Sequence, residues 1–217
     1  MQRGFDIFFS VIALLILFPL FLIIVPVLLV TGEGDVFYRQ ERIGKHGRPF
    51  LILKFATMLR DSPNIGTGTL TVQDDPRVLP FGKFLRKTKI NELPQLINVL
   101  RGDMSLIGPR PLTADKYGLY DTQKQDIIYS SRPGLSGIGS IVFRDEEIYV
   151  SRHTKPEEYY EDVIVPAKVA LELWYSRNAN LINYLLLILI TAWVIIFPKS
   201  SIIWKIFTDL PEIEDFK

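Results

Sequence analysis

The stretch IFFSVIALLILFPLFLIIVPVLLV, from Ile7 to Val30, decides the fold because its 24 residues carry no charge. At about 1.5 Å per residue, a helix of this length can cross a hydrocarbon core of roughly 30 Å. Pro19 lies near the middle, and an interior proline removes a backbone hydrogen bond, so we predict a kink there. Basic residues stand on both sides of the run. The residues alone therefore leave two shapes open, an ordinary kinked span and a re-entrant helix.

The rest of the chain is polar enough to form a water-facing domain. Hydrophobic residues make up 48% and charged residues 23% of the 217 residues, and the mean hydropathy is +0.20. This balance predicts a membrane part joined to a water-facing part, rather than a bundle of spans. The chain has no cysteine, which excludes disulfides and thiolate metal sites. The net charge of +1 selects no partner, and no motif suggests nucleic acid.

After the apolar run, the pattern predicts a mainly helical protein with a small β element. Residues 36–55 are typical of two short strands around a Gly-rich turn, and we expect a third short strand near Leu70–Val72. Apolar residues at three- and four-residue spacing predict a helix with Asn91 as its N-cap and Pro94 in its first turn. Further helices are expected at 114–131 and 155–178. Between them we predict a glycine-rich loop at 132–140, followed by a strand or the start of a helix.

A second apolar run, Leu181–Phe197, has 17 residues and is at the lower limit for a span. Trp193, Lys199 and Trp204 are typical of a membrane interface, so a helix lying in the headgroup region is equally compatible with the pattern. We therefore expect a three-part chain: a membrane-embedded helix at 1–33, a water-facing domain at 34–178 and a membrane-associated segment at 179–217.

Asn91 and Glu92 are the first candidates for chemistry. One interpretation is structural, with a helix cap followed by an acid that complements the helix dipole. The other is a Mg²⁺ site, with Glu92 as a hard oxygen ligand and a diphosphate held at the helix end. Basic residues beside turns are candidates for phosphate contacts, because a guanidinium donates two parallel hydrogen bonds. These are Lys54, Arg86, Arg110 and Arg132.

The chain resembles the bacterial sugar transferases, the monotopic phosphoglycosyl transferases, over nearly its whole length. The matching residues are RGFD at Arg3–Asp6, the apolar helix with Pro19, VFYRQERIG at Val36–Gly44, KFATM at Lys54–Met58, DDPRVLPFGKFLRKTKINELPQLINVLRGDMSLIGPRPL at Asp74–Leu112, and RPGLSG at Arg132–Gly137.

The resemblance implies a monotopic membrane protein. Its N-terminal helix would be re-entrant and bent at Pro19, with both ends at the cytoplasmic face of the bacterial inner membrane. It implies a cytoplasmic catalytic domain with interfacial helices, and Mg²⁺ as cofactor. The implied reaction moves a sugar 1-phosphate from a UDP-sugar to undecaprenyl phosphate and releases UMP, the first membrane step of a surface glycan such as O-antigen or capsule. Assembly into a homo-oligomer is left open.

The sequence departs from the family at one functional position, because Asn91 stands where the resemblance places a nucleophilic Asp. An amide is a very poor nucleophile, so three explanations compete: a disabled variant, a non-catalytic homologue that binds the lipid carrier or the UDP-sugar, and a natural branch with a rearranged site. Phe18, Ala56 and the segment after RPGLSG also depart from the family, which favours the natural branch. In such a branch, Glu92 would attack phosphorus, another acid would replace the missing one, or transfer would be direct. The alternative acids are Asp145, Glu146 and Glu147.

Overall fold

The computed structural model describes residues 2–65 and 74–213, and it is mostly helical with two small sheets. The strand expected near Leu70–Val72 lies outside the described residues. The helices are α1 Gln2–Thr31, α2 Pro80–Lys87, α3 Gln95–Arg101, α4 Ala114–Gly118, α5 Thr122–Ile128, α6 Ile138–Val142, α7 Glu146–Ser151, α8 Pro156–Tyr159, α9 Val165–Asn178, α10 Leu181–Ile196 and α11 Ile202–Ile206. The strands are β1 Phe37–Ile43, β2 Pro49–Phe55, β3 Ser105–Ile107 and β4 Gly134–Ser136.

The long apolar run forms α1, which continues as one helix through Pro19 and Pro26. Within the described ranges, α1 is the one helix that is long and apolar enough to cross a membrane. Large apolar side chains in its middle face outward; Leu15 and Ile16 are 70% and 72% exposed. Such a surface is unfavourable in water, so lipid or another apolar surface is expected to cover it. The kink and the re-entrant shape stay predictions.

The N-terminal end of α1 is tied to the globular part by polar contacts. The Arg3 guanidinium donates to the carbonyls of Val99 and Leu100, near the end of α3. One carboxylate oxygen of the buried Asp6 accepts three hydrogen bonds of 2.8–2.9 Å, which join α1 to β3 and α10. The three donors are the Ser105 hydroxyl, the Leu106 amide and the Tyr184 hydroxyl.

The C-terminal end of α1 packs against the same globular part through apolar contacts. Ile24 and Leu28 are buried in one cluster with Phe55 at the end of β2 and Leu85 of α2. The ring of Phe21 packs edge-on against Phe55, with centroids 5.2 Å apart. Both ends of α1 therefore contact one body, while its middle stays exposed.

The predicted β element is present as an antiparallel ribbon of β1 and β2, paired from Phe37↔Phe55 to Ile43↔Pro49. The Asn98 side chain of α3 holds the other edge of β2. It accepts from the Leu53 amide at 2.9 Å and donates to the Leu51 carbonyl at 2.8 Å, as a neighbouring strand would. This bond pair fixes the end of β2 that carries Lys54 against α3.

The prediction of a loop at 132–140 is wrong in part, because this segment contains β4 and the start of α6. β4 pairs in parallel with β3, and the backbones approach closely at Gly108 and Gly134. A Cβ atom on Gly134 would lie 2.2 Å from the Gly108 nitrogen, so only glycine fits there. The high glycine content, which suggested a loop, instead permits this tight parallel pair.

One helix prediction also needs correction. The helix expected at 114–131 is divided into α4 and α5, and Asp121 caps α5 by accepting from the Gln123 amide at 3.1 Å. Of the two alternatives left open after the glycine-rich segment, a strand or the start of a helix, the structure has helix, in α6 and α7. The helix expected at 155–178 is present as α8 and α9, joined by a π-helical turn at Tyr160–Ile164.

The second apolar run forms α10, which lies along the globular part. One face is buried in the main core, which α5, α9 and α11 also form; its buried residues are Tyr184, Leu187, Ile190 and Val194. The opposite face exposes large apolar side chains, with Ile182 70% and Ile196 69% exposed. The three-part division of the chain stays a prediction, since residues 181–213 share a core with residues of the middle part.

Candidate active site

The sequence predicts that an α-helix begins at Asn91. In the structure, Asn91 does not lie at the start of a regular α-helix. Ile90–Glu92 form a 3₁₀ turn, and Pro94, not Asn91, occupies the N-cap position of α3. In a continuous α-helix the Pro94 ring would clash with the Ile90 carbonyl four residues earlier. Lys89, just before the turn, has a left-handed backbone with φ of 59°, which redirects the chain. Asn91 and Glu92 therefore lie on a short turn that precedes α3.

Glu92 lies among cations. Its Oε1 atom is 3.3 Å from the Lys54 Nζ atom and 4.0 Å from an Arg110 guanidinium nitrogen. Burial by itself raises the pKa of Glu92, but the charges of Lys54, Arg110 and Lys89 outweigh it and lower the pKa to about 2. Glu92 is therefore ionised at neutral pH.

Lys54 is held at the end of β2, directly beside Glu92. Burial lowers its pKa to about 8; the nearby charge of Glu92 opposes this, while Arg42 and Arg110 add to it. The ammonium group remains mostly charged at pH 7 but is close to its titration range. An anion that binds near Lys54 would raise the pKa of Lys54, because the anion stabilises the charged ammonium form.

Arg110 lies in the corner Gly108–Pro111. Its carbonyl accepts a 2.8 Å hydrogen bond from the Tyr129 hydroxyl, and the preceding Pro109 carbonyl accepts one of 2.8 Å from the Gly134 amide. Prolines on both sides restrict the backbone. The guanidinium is thus mounted on a fixed backbone and reaches toward Glu92.

Arg42, which was not among the residues predicted from the sequence, lines the same cavity. One terminal nitrogen of its guanidinium donates to the Pro111 carbonyl at 3.3 Å and the other to the Gln40 side chain, while its buried Nε has no partner in the described part of the chain. Burial and the charge of Arg110 lower its pKa to about 10. Strand alternation places Arg42 on the face of the ribbon that carries Lys54, because Tyr38 pairs with Lys54. That alternation is the sequence signal that could have identified it.

These groups surround one cavity with a surplus of positive charge. It is lined by Arg42, Ile52, Lys54, Glu92, Gln95, Arg110, Pro111, Gly134 and Leu135. Arg42, Lys54 and Arg110 contribute three positive charges and Glu92 one negative charge, so the lining carries a net charge of +2. Partly buried like charges repel each other, and a dianion would relieve this repulsion.

The remaining predicted phosphate ligands lie outside the cavity lining. Arg86 donates to Glu147 at 2.8 Å and contacts the Met58 sulfur. Arg132 is exposed and donates to the Gly102 carbonyl at 2.8 Å, at the opposite end of α3 from Glu92. The structure therefore brings Lys54 and Arg110 together with Glu92, but not Arg132.

Two of the alternative acids form ion pairs with residues outside the cavity lining, and the third is exposed. Glu146 pairs with Lys168, and Glu147 pairs with Arg86. Asp145 is exposed at the position before α7. Glu92 is thus the only carboxylate among the residues that line the described cavity.

Comparison with known proteins shows which family the chain belongs to. The family model described as "Bacterial sugar transferase" matches residues 1–198. The chain belongs to the bacterial sugar transferases.

Relatives of this sugar transferase have names that point to glycan assembly. The exopolysaccharide production protein ExoY of Sinorhizobium fredii is 33% identical over 92% of this chain and 87% of its own length. The protein of the same name from Rhizobium meliloti is 37% identical over 82% of this chain and 87% of its own length. The undecaprenyl-phosphate galactose phosphotransferase of Salmonella typhimurium is 31% identical over 90% of this chain but only 40% of its own length.

In this sugar transferase, Asn91 is 6% exposed and its Oδ1 atom has no hydrogen-bond partner among the described residues. Leaving a buried amide oxygen unpaired costs about 1–3 kcal/mol, so function rather than stability is the expected reason for it. The oxygen is therefore available to accept a hydrogen bond from a bound group.

In this sugar transferase, the described side chains alone would not complete the coordination of Mg²⁺. The described ranges contain no group of three or more His, Cys, Asp or Glu side chains that could hold a metal. However, Mg²⁺ is commonly bound by one or two carboxylates together with substrate phosphates. The single ionised carboxylate of Glu92 fits a metal that arrives on a diphosphate, whose oxygens and water would complete the coordination.

Proposed function

We propose that this chain transfers a sugar 1-phosphate from a UDP-sugar to undecaprenyl phosphate and releases UMP. The observation that carries the proposal is the cavity with a net charge of +2 around Glu92. Phe55, which follows the cavity residue Lys54 in the chain, packs in one cluster with Ile24 and Leu28 of α1. The names of the relatives supply the reaction class, since the Salmonella typhimurium protein is called an undecaprenyl-phosphate galactose phosphotransferase.

In the proposed mechanism, Arg42, Lys54 and Arg110 bind and orient the diphosphate. Glu92 would hold Mg²⁺, which would neutralise phosphate charge. An oxygen of the lipid phosphate attacks the phosphorus that bears the sugar. A bond forms between that oxygen and that phosphorus, and the bond from the same phosphorus to the oxygen of the departing UMP breaks. The positive side chains stabilise the charge on the leaving phosphate.

Direct transfer is our choice among the three routes that Asn91 leaves open. Glu146 and Glu147 are held in ion pairs, and Asp145 faces outward. Glu92 is held between Lys54 and Arg110, and its low pKa makes it a weak nucleophile. Mass spectrometry of protein quenched with UDP-sugar tests this choice. A sugar-phosphate adduct on Glu92 would replace direct transfer with a covalent route.

The proposed location is the cytoplasmic face of the bacterial inner membrane, with α1 as a re-entrant helix bent at Pro19. The support is that both ends of α1 contact the same globular body, which a straight span would separate. α10 is proposed to lie in the interface, because its 16 residues are about 24 Å long and one face is buried along the protein. The proposed parts are residues 1–33, 34–178 and 179–217.

Membrane topology can be tested directly because the chain has no cysteine. Gly4→Cys and Thr31→Cys would be labelled in oriented membrane vesicles with a membrane-impermeant maleimide. Both positions are exposed in the structure. Labelling of both from the cytoplasmic side is expected, and labelling from opposite sides would exclude the re-entrant helix.

The reaction itself is tested by UMP release from purified protein with undecaprenyl phosphate, Mg²⁺ and a panel of UDP-sugars. We expect release that is lost in Glu92→Ala and kept in Glu41→Ala, since Glu41 is exposed on β1 outside the cavity. Release only after Asn91→Asp would identify a disabled enzyme. No release from either protein, with UDP-sugar still bound, would favour the non-catalytic homologue.

A further inference from the structure

Arg132 was predicted to contact phosphate, but it lies outside the cavity that the proposed mechanism uses. Its side chain is exposed, and its Nε atom donates a 2.8 Å hydrogen bond to the Gly102 carbonyl, just after α3. A guanidinium has five N–H donors, and only the Nε donor of Arg132 has a hydrogen-bond partner among the described residues. The donors on its two terminal nitrogens are therefore available for an anion.

Arg3 reaches the same end of α3 from the apolar helix α1. Its terminal nitrogens donate to the carbonyls of Val99 and Leu100, and the bond to Leu100 is 2.8 Å long. A Cβ atom on Gly102 would lie 3.5 Å from one of these nitrogens. Arg3 and Arg132 therefore both lie next to Gly102, although they are far apart in the sequence.

Arg101, the last residue of α3, is exposed and adds a third cation at this helix end. In the part of the chain that the structure describes, none of the three guanidinium groups has a carboxylate oxygen within 4.0 Å. The acid closest along the chain, Asp103, accepts from the Asn98 side chain at 3.2 Å instead. Arg3, Arg101 and Arg132 are called the arginine patch below. With Asp103 counted against it, the patch carries a net charge of +2.

Part of the arginine patch has a structural explanation. Cations near the C-terminal end of a helix satisfy its last carbonyls and complement the negative end of its dipole. This explains the hydrogen bonds of Arg3 and of the Arg132 Nε atom. It does not explain the exposed Arg101 or the terminal nitrogens of Arg132. These groups fit an anion that comes from outside the protein.

The position of the patch along α1 indicates which anion this is. Ile7 and Phe8, about one turn after Arg3, are 43% and 57% exposed, so the exposed apolar surface of α1 begins there. Four residues of helix correspond to about 6 Å along the axis. When lipid covers the apolar surface, Arg3 therefore lies near the level of the headgroups. Guanidinium groups bind phosphate through two parallel hydrogen bonds, and basic residues beside a membrane helix attract anionic lipids.

We propose that Arg3, Arg101 and Arg132 form a binding site for the phosphate group of anionic membrane phospholipids, at the opposite end of α3 from Glu92. The site holds the globular part against the headgroups where α1 enters the lipid. The inference rests on the proposed membrane location of α1, but it goes beyond the proposed reaction and does not depend on it.

The test measures which lipids gather around the patch, with full-length protein in phosphatidylcholine nanodiscs. Gly4→Cys would carry a bimane fluorophore, because a Cβ atom there meets nothing within 4 Å and Arg3 is its neighbour. Equal small fractions of spin-labelled phosphatidylglycerol or spin-labelled phosphatidylcholine quench the fluorophore according to their local concentration. We expect stronger quenching by phosphatidylglycerol. Arg132→Gln should weaken this preference about fivefold, because one basic residue near an anionic surface contributes about 1 kcal/mol.

Matched variants separate charge from other effects. Arg101→Gln should act like Arg132→Gln, whereas Arg132→Lys keeps the charge and should retain more of the preference than Arg132→Gln. Arg39→Gln removes an exposed arginine of β1 outside the patch and should leave the preference unchanged. High salt should weaken the preference, because exposed charges are screened.

Equal quenching by the two lipids in the wild type would overturn the proposal. A preference that survives in the double variant of Arg101→Gln and Arg132→Gln would also overturn it. Absence of quenching by both lipids would refute the membrane location of α1 together with this inference. UMP release plays no part in the measurement, so a protein that keeps the preference but releases no UMP would refute the proposed reaction alone.

Discussion

Replacement of Glu92 by glutamine should destabilise the protein in a manner that depends on pH. The pKa of Glu92 falls from an ordinary value of 4.5 to about 2 in the fold, because the attraction of Lys54, Arg110 and Lys89 outweighs burial. A folded pKa below the unfolded value means that the ionised carboxylate stabilises the fold above pH 4.5, and this stabilisation is lost as the pH falls toward 2. At about 1.4 kcal/mol per pH unit, the contribution at pH 7 is about 3 kcal/mol.

The assay is thermal unfolding of detergent-solubilised wild type, Glu92→Gln and Glu41→Gln between pH 3 and pH 7. For a chain of this size, 1 kcal/mol corresponds to about 2–4 °C, so we expect Glu92→Gln to melt about 6–12 °C lower at pH 7. The difference should shrink steadily below pH 4.5, while the exposed control stays close to the wild type. Pyrophosphate should partly restore the variant, because it replaces the missing negative charge among the cations. Equal or higher stability of Glu92→Gln at pH 7 would refute the electrostatic reasoning.

Three further changes test other parts of the structure. Lys54→Met should lower kcat/KM for UMP release by about 100-fold. It should also move the acidic limb of the pH profile to higher pH, because the pKa of Glu92 rises without its nearest cation. An unchanged profile would contradict the pairing of Lys54 with Glu92. Gly134→Ala should destabilise the fold by about 1–3 kcal/mol in thermal unfolding, whereas Gly118→Ala should change it little, because only the first Cβ atom would strike backbone. Asp6→Asn should cost about 1–3 kcal/mol in the same assay, since the three hydrogen bonds to its Oδ1 atom lose a charged acceptor; wild-type stability would show that α1 is not anchored there.

Much of the fold could be predicted because its signals are local. The apolar run of α1, the ribbon of β1 and β2, and the helical periodicity of α9 and α10 follow from the order of apolar and polar residues. The parallel pair of β3 and β4 could not be predicted, because its strands have three residues each and lie about 30 residues apart. Strands of this length have no periodicity, and their glycines are also typical of loops.

The candidate site was only partly predictable for a similar reason. Glu92, Lys54 and Arg110 could be predicted from the sequence. Arg132 was predicted with them but lies elsewhere, and Arg42 was not predicted. Residue type and a nearby turn do not show whether a side chain lies near the N-terminal or the C-terminal end of α3. Alternation along β1 puts Arg42 on the same face as Tyr38, but only the register of β1 with β2 shows that this face also carries Lys54.

The sequence by itself determined that an apolar helix leads into a polar, mainly helical domain, and its motifs indicated the family, which the comparison confirmed. These properties depend on composition and on residues that are close along the chain. Only the tertiary structure decided that both ends of α1 meet one body, and that Arg42, Lys54, Glu92 and Arg110 share one cavity. The physical reason is that pKa values and anion binding depend on distances of a few ångströms, and residues far apart in sequence reach such distances only through packing.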